Sequence, residues 1–306
     1  MHYSLKLFAI CTLAGSTSLA SAAPMEDYNM ILFGDFAPNG GSGHIQGKSF
    51  IGGDLKGDSP VFGYMLDKSL TSTTVEVAGN LSASQPKVEA GYLSYGGDNN
   101  TYTINCNGSS FGGSQACVQK ASGLDSKAAD LYTELSNDSA YYNSLSSTGS
   151  IGGNLFSYSG AATELAVFDI SGGDLFAQNS NWNLDFGLAE NIVINVSGVD
   201  LYNSSSVHFN GNFSNSGHIL WNFYEAEYIN LDSSPWYGSI LAVDAAIATG
   251  NDINGTLVAD SYIGNGQIHL PTWSYDPPET SVPEPSMILL MLTGLGFMSL
   301  RKFRRS

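Results

Sequence analysis

Arginine is absent from every position between the two ends of this 306-residue chain, and only six lysines stand there. The other five of its eleven cations sit in the terminal segments, at Lys6, Arg301, Lys302, Arg304 and Arg305. Of the 28 acidic residues only Glu284 belongs to the tail motif. The 27 that remain bring the body to a net charge near −21. A field of that sign repels phosphate backbones, and counterion-release binding needs the opposite one, so nucleic acid is excluded as a partner. Catalytic signatures are missing too. No H-E-x-x-H or comparable metal spacing occurs around His44, His208, His218 or His269. No Gly-rich phosphate loop with a lysine is present. Cysteine is scarce: of three, Cys11 lies in the N-terminal segment, leaving Cys106 and Cys117 in Gly/Ser-rich loop sequence. Long apolar runs are missing as well. The run from Met287 to Leu300 has 14 residues. At about 1.5 Å per residue it reaches roughly 21 Å, short of a hydrocarbon core of about 30 Å.

The ends carry the strongest signals. Lys6 precedes an apolar stretch from Leu7 to Leu13, and small residues follow to Ala20-Ser21-Ala22, just before Ala23. A charged start, a short apolar core and an A-x-A site predict a cleaved signal peptide over residues 1–22, with Ala20, Ala22 and Ala23 at the cleavage site. Export to an oxidising compartment makes an even pair of cysteines a disulfide, Cys106–Cys117. Closing so short a loop stabilises by about 2–3 kcal/mol. The rival, a pair of metal ligands, lacks further Cys or nearby His to complete it.

The C-terminal end begins with a Pro-rich linker, residues 276–282. There follow Pro283-Glu284-Pro285, the apolar run 287–300 and a basic cluster of Arg301, Lys302, Arg304 and Arg305. The run gains length if it extends through Phe303 with its cations snorkelling to the headgroups. A terminal basic cluster is placed where a stop-transfer segment needs it, on the cytoplasmic side. This three-part order, covering residues 283–306, resembles the PEP-CTERM sorting signal of Gram-negative bacteria. The resemblance implies processing by an exosortase, a membrane-embedded cysteine enzyme, near Pro283-Glu284-Pro285, and only transient residence of the tail in the inner membrane. Families with this tail often belong to bacteria that make an exopolysaccharide matrix.

Residues 23–275 are rich in Gly, Ser and Asn and broken into short apolar runs. Asn191–Val196, Val207–Phe209, His218–Phe223 and Gly255–Ile263 read as strands rich in β-branched and aromatic residues, punctuated by turn formers. The pattern excludes a helical bundle and leaves a sandwich, barrel or solenoid. Gly52-Gly53-Asp54-Leu55 recurs as Gly152-Gly153-Asn154-Leu155 and Gly172-Gly173-Asp174-Leu175, with echoes at Gly79-Asn80-Leu81 and Gly211-Asn212-Phe213. A solenoid needs such a turn before an inward apolar residue at each corner; ordinary hairpin turns of a β-sandwich are the alternative. One segment is helical, from a cap at Asp125 or Ser126 to about residue 146, with Ala128, Leu131, Leu135, Tyr142 and Leu145 on one face. The expected fold is all-β with one flanking α-helix, a right-handed parallel β-helix.

Family likeness points the same way. Tyr28–Phe36, Ile45-Gln46-Gly47, Ile51–Asp54, Leu220–Phe223, Gly238–Ala242, Asn254–Ala259 and Gly266–His269 resemble, in that order, the choice-of-anchor A domain. Val243-Asp244 departs from it, where a Pro-Asn pair is usual. The last block also resembles secreted ice-binding β-solenoids, which carry a helix alongside the coil. The family implies an adhesin-like module and offers no catalytic residues to transfer.

Three functions are expected in turn. The first is an exported, non-catalytic surface or extracellular-matrix protein, adhesive or polysaccharide-associated. Its processing partners are signal peptidase and exosortase, and its ligand is an exopolysaccharide or cell-surface group. The second is a polysaccharide lyase or hydrolase, with Glu225 and Glu227 as alternating carboxylates, although the missing arginine leaves nothing to neutralise a uronate. The third is ice or crystal-surface binding, which wants Thr once per coil; Thr71, Thr73 and Thr74 are local and do not recur at that spacing. No cofactor is expected. Asp54, Asn154 and Asp174 are the candidates for Ca²⁺ at solenoid corners, but they do not follow the nonapeptide pattern of Ca²⁺-binding solenoids. The 16 tyrosines against 4 tryptophans suit sugar or protein recognition.

Overall fold

Short runs of β-branched and aromatic residues, each stopped by Gly, Asn or Asp, become the rungs of a parallel β-helix. The computed structural model describes residues 23–38, 43–177, 181–203, 207–210 and 213–277. The expected leader, with Ala20 and Ala22, lies outside them. So do the sorting motif Pro283-Glu284-Pro285, the segment 287–300 and Arg301, Lys302, Arg304 and Arg305. Among the described residues no helix is long and apolar enough to cross a membrane.

Rungs stack in parallel, but not in chain order. The first, Met30–Leu32, pairs with Ser49–Ile51 on one side and with Leu257–Ala259 on the other. From Ser49–Ile51 the stack proceeds through Thr73–Val77 and Tyr92–Tyr95 to Val118–Lys120. The helix Leu124–Ser144 then runs outside the sheet. Stacking resumes at Thr163–Ser171 and passes through Ala189–Ser197, Ile219–Asn222 and Ser239–Thr249 to Leu257–Gly264, which closes on Met30. The first coil is therefore clamped between the second and the last.

Three faces result. The middle of the long sheet is buried on both sides. Met30, Ile51, Ile194, Trp221 and Ile240 point into the solenoid. Ile31, Phe50, Val193, Leu220, Leu241 and Val258 point out, beneath Leu131, Leu135 and Tyr142 of the helix. This double burial explains why Asn191–Val196 is an almost unbroken apolar run. Each fully buried Leu, Ile or Phe stabilises by about 1.5–3 kcal/mol. The second face is an eight-stranded sheet built of short steps rather than long strands. It runs from Trp236–Tyr237 through Ile253–Asn254, Ile268–His269, His44–Ile45, Val61–Phe62 and Lys87–Val88 to Asn105–Cys106 and Gly113–Ser114. On the third face, Asp200–Tyr202 pairs with Tyr228–Asn230, which pairs in turn with the second half of Ser239–Thr249, and single bridges continue the stack at Phe36, Leu55, Leu81 and Asn99.

The recurring Gly-Gly-Asp-Leu word builds a corner at two of the expected places. Gly52–Leu55 and Gly79–Leu81 turn the chain between faces, with Leu55 and Leu81 fully buried. The Asp54 amide donates to Asp35 Oδ1 at 2.7 Å, the Asn80 amide to Asp54 Oδ1 at 2.8 Å and the Asp98 amide to Asn80 Oδ1 at 2.8 Å. A ladder of side chains thus ties coil to coil. It needs glycine before each acceptor: a Cβ on Gly79 would sit 2.5 Å from the Gly53 carbonyl oxygen.

The other copies of the word correct the corner expectation. Gly152–Leu155 is a hairpin turn with antiparallel pairing of Gly152 with Leu155, and Leu155 is exposed. Gly172–Leu175 is a single helical turn whose cap, Ser171 Oγ, accepts from the Asp174 amide. Gly211-Asn212 lies outside the described residues. The word encodes a tight turn, and the strand available to pair decides whether a corner or a hairpin forms. The long helix also starts earlier than expected. Gly123, at φ 82°, is its cap, Leu124 is its first residue, and Asp125 and Ser126 lie inside the first turn. A left-handed glycine turns the chain there without a side-chain cap.

Candidate functional site

The helix and the chain ends cover the middle of the long sheet, leaving Gln119 and Lys120 exposed on its end rung, and the other outward surfaces are those of the second and third faces. On the second face two columns of side chains stand in register. One is Tyr237, Asn254 and His269; the other is His44, Val61, Lys87 and Asn105. In the first, His269 Nδ1 lies 3.1 Å from Asn254 Oδ1, and beside it Gln46 Oε1 accepts from the Leu270 amide at 3.0 Å. His44 stacks on Tyr64 at 4.7 Å, beside the exposed Met65. On the third face the columns are Asp200, Tyr228, Ala246, Ser261 and Tyr202, Asn230, Ala248, Ile263, with the rings of Tyr202 and Tyr228 5.4 Å apart. Threonine is absent from all four columns. Thr74 is buried against the Ala90 carbonyl, and Thr73 sits on the long sheet.

Burial raises the Asp35 carboxyl, but the Lys56 ammonium and the Asp54 amide outweigh it and hold the group below the usual carboxylate range. Lys56 also reaches Asp54 at 3.6 Å, so one lysine bridges two steps of the corner ladder.

A groove lies between the C-terminal half of the long helix and the adjoining sheet. Its floor is a second ladder. Asp169, Asn195 and Asn222 occupy matching positions on three rungs. Asn222 Nδ2 donates to Asn195 Oδ1 at 2.9 Å, and Asn195 Nδ2 donates to Asp169 Oδ1 at 3.0 Å. The helix docks onto it. Ser139 Oγ donates to Asn222 Oδ1 at 2.7 Å, and Asn195 Nδ2 donates to the Tyr142 carbonyl at 3.0 Å. Tyr132 donates to Asp244 Oδ1 at 2.7 Å, and that carboxylate, with burial second, raises the phenol.

The residues singled out in the sequence disperse. His44, His208 and His269 are strand residues, whereas His218 ends a 3₁₀ turn with Nδ1 2.9 Å from Asn191 Oδ1. Among the described residues no group of three or more His, Cys, Asp or Glu is arranged to hold a metal ion. Asp54 stands at a corner, while Asn154 sits in the hairpin and Asp174 in the helical turn. Glu225 and Glu227 belong to the loop before Tyr228–Asn230, not to a strand. Glu225 accepts from the Gly198 amide at 2.7 Å, while its neighbours Tyr224 and Ala226 line the groove. The sulfurs of Cys106 and Cys117 are bonded and buried in the end coil, where the Cys117 amide donates to Cys106 Sγ at 2.9 Å. Ala23 is buried at the start of the described chain. Sequence reasoning missed Asn143, Asp169, Tyr224 and Asp244. Their only signal is polar residues alternating with buried ones, which many surface positions share.

These features define a class: a parallel β-helix with one face sealed by a flanking helix and two faces turned outward. The chain belongs to the ice-binding-like adhesive family, whose model, described as "Putative Ice-binding-like adhesive domain", matches residues 21–270. It is similar to a solved ice-binding protein from an Antarctic biological consortium, at 12% identity and TM-score 0.36, covering 87% of this chain and 96% of that one. A glycosylated ice-binding protein from an Arctic yeast aligns at 9% identity and TM-score 0.35, over 87% and 99%. An ice-binding protein of the Antarctic ascomycete Antarctomyces psychrotrophicus aligns at 13% identity and TM-score 0.31, over 81% and 96%. No curated protein sequence matches the chain.

Proposed function

We propose that this chain is an exported, non-catalytic adhesion module that holds extracellular polysaccharide or a neighbouring surface through the outward faces of its β-helix. One observation carries the reading. Helix Leu124–Ser144 covers the middle of the long sheet, while the other two faces present polar and aromatic side chains in register at the coil repeat, with Val61, Ala246, Ala248 and Ile263 between them. Adjacent strands repeat at about 4.8 Å. A rigid surface with that repeat suits an extended, repetitive ligand, and its order is held before binding, so little entropy is lost on contact.

Export supports the same reading. In it, signal peptidase cuts after Ala22 and an exosortase processes the tail at Pro283-Glu284-Pro285. The run 287–300 rests transiently in the inner membrane, oriented by Arg301, Lys302, Arg304 and Arg305, and the body ends at the cell surface or in the matrix of a Gram-negative bacterium. The likeness to the choice-of-anchor A domain belongs to this proposal. Threonine-free columns speak against an ice face, and the outward turn of Glu225 speaks against a hydrolase. No cofactor has a part in this reading.

Incubating the full chain with the host's own exopolysaccharide tests it. The polymer is retained without release of reducing or unsaturated ends. Release of such ends overturns the non-catalytic reading, and failure to retain the polymer overturns the adhesive one.

A further inference from the structure

Where the long helix leaves the sheet, two depressions of about 170 and about 390 Å³ lie side by side, and Asn143 and Tyr224 line both. A buried water needs only about 10–15 Å³ of such space, so even the smaller one exceeds a single water tenfold. The contact is polar here, beside the apolar packing of Leu131, Leu135 and Tyr142 on the sheet. Ser139 and Asn195 form its buried floor, and their side chains are already held by Asn222, Asp169 and the helix. Ser136 lies on the wall of the smaller depression, its hydroxyl shielded from solvent and set toward the Tyr132 phenol, which gives its own proton to Asp244. That hydroxyl keeps spare acceptor capacity for a group from outside the protein.

We propose that this groove is a subsite for one uncharged pyranose unit of a neutral glycan, a proposal that rests on the adhesive reading above and gives it a location. Three features select that chemistry. Tyr224 offers a ring against which the C–H face of a sugar packs. Ser136, Asn143 and Ser197 are short side chains that both donate and accept, which matches neighbouring sugar hydroxyls. Asp169 and Asp244 stand in the two depressions, and none of the lining residues is cationic. A uronate, sulfate or phosphate on the sugar meets two carboxylates and no counter-charge, so anionic glycans are rejected.

The test uses the full-length chain, purified in mild detergent, on an array of neutral gluco-, manno- and galacto-oligosaccharides beside uronate oligomers. The native chain binds neutral members and not uronates. Asn143→Ala, Tyr224→Ala and Ser136→Ala each weaken binding by about tenfold, the loss expected for one hydrogen bond or one stacking contact. Asn143 is exposed, so its variant melts like the native chain. Ser136→Ala leaves the Tyr132 bond to Asp244 in place and melts within about 3 °C of the native chain. Native-level binding by Asn143→Ala and Ser136→Ala, or a preference for uronates, overturns the groove proposal while leaving the adhesive reading intact. Retention of neither neutral glycans nor host matrix by the native chain overturns both.

Discussion

Asn29 donates from its side-chain amide to the carbonyl oxygen of Gly255, 226 positions later in the chain, at 3.1 Å. The same amide donates to the His269 carbonyl at 3.0 Å, and Asn29 Oδ1 accepts from the Gly47 amide at 3.0 Å. One buried side chain therefore joins the first, second and last coils at the place where the solenoid closes on itself. Beside it, Thr256 Oγ1 shares its proton between the carbonyls of Met25 and Tyr28.

Removing that junction strands the Gly47 amide and the Gly255 carbonyl, while the His269 carbonyl still accepts from the Gly255 amide. Each buried donor or acceptor left unsatisfied costs about 1–3 kcal/mol, so Asn29→Ala destabilises the fold by about 2 kcal/mol or more. Denaturant unfolding of the variant shows a lowered midpoint. An unchanged midpoint contradicts the role assigned to the junction.

A second prediction concerns the ladder under the helix. Asn222 is fully buried and makes bonds to Ser139 and Asn195 that fix the helix to two rungs. Asn222→Ala loosens the docking, at a cost of about 2–4 kcal/mol. Amide hydrogen exchange reads it locally: protection falls across Leu131–Ser144 before it falls in the strand Ala189–Ser197. Uniform loss of protection would mean that the helix and solenoid open as one unit.

Alkaline pH offers a third check. Burial, then the Glu76 side chain, raises the Tyr28 phenol far above its ordinary value, and burial followed by the Asp252 charge raises Tyr262. A raised folded-state value means that the folded chain holds its protons more tightly than the unfolded one. Stability from these groups is complete below about pH 10 and declines as pH rises beyond it. Absorbance of tyrosinate follows the titration. Tyr28 and Tyr262 ionise only together with unfolding. Full ionisation of all tyrosines in the folded chain contradicts this.

The end coil supplies a fourth. Cys106 and Cys117 close a loop 11 residues apart against the last rungs. Replacing both with serine costs about 2–3 kcal/mol by the chain-entropy model, and leaves two hydroxyls among apolar neighbours. Thermal melting detects the loss; a melting point within about one degree of the native one refutes it.

How much of the fold is legible in the sequence depends on the range of the interactions. Strand Asn191–Val196 is readable because Ile192, Val193, Ile194 and Val196 are β-branched and buried on both sides of the sheet. The helix is readable because Leu131, Leu135 and Tyr142 recur on one face, and all three are buried. Its start is not, since Gly123 turns the chain where a polar side chain is the usual cap. Gly52–Leu55 and Gly152–Leu155 differ only by Asp against Asn at their third position, yet one is a corner and the other a hairpin. Local sequence sets the turn, while the pairing partner is chosen elsewhere. The same limit hides the order of the coils: nothing near Met30 announces that Leu257 lies beside it. The groove is hidden too, because Asn143, Tyr224 and Asp244 come together only when the helix docks.

The most direct trial is made on living cells, by measuring surface attachment and matrix cohesion after deletion of the gene and after its return. The account predicts loss of both on deletion, recovery with the full chain, and no recovery with a chain lacking residues 283–306. Attachment and cohesion that stay unchanged when the gene is removed would contradict it.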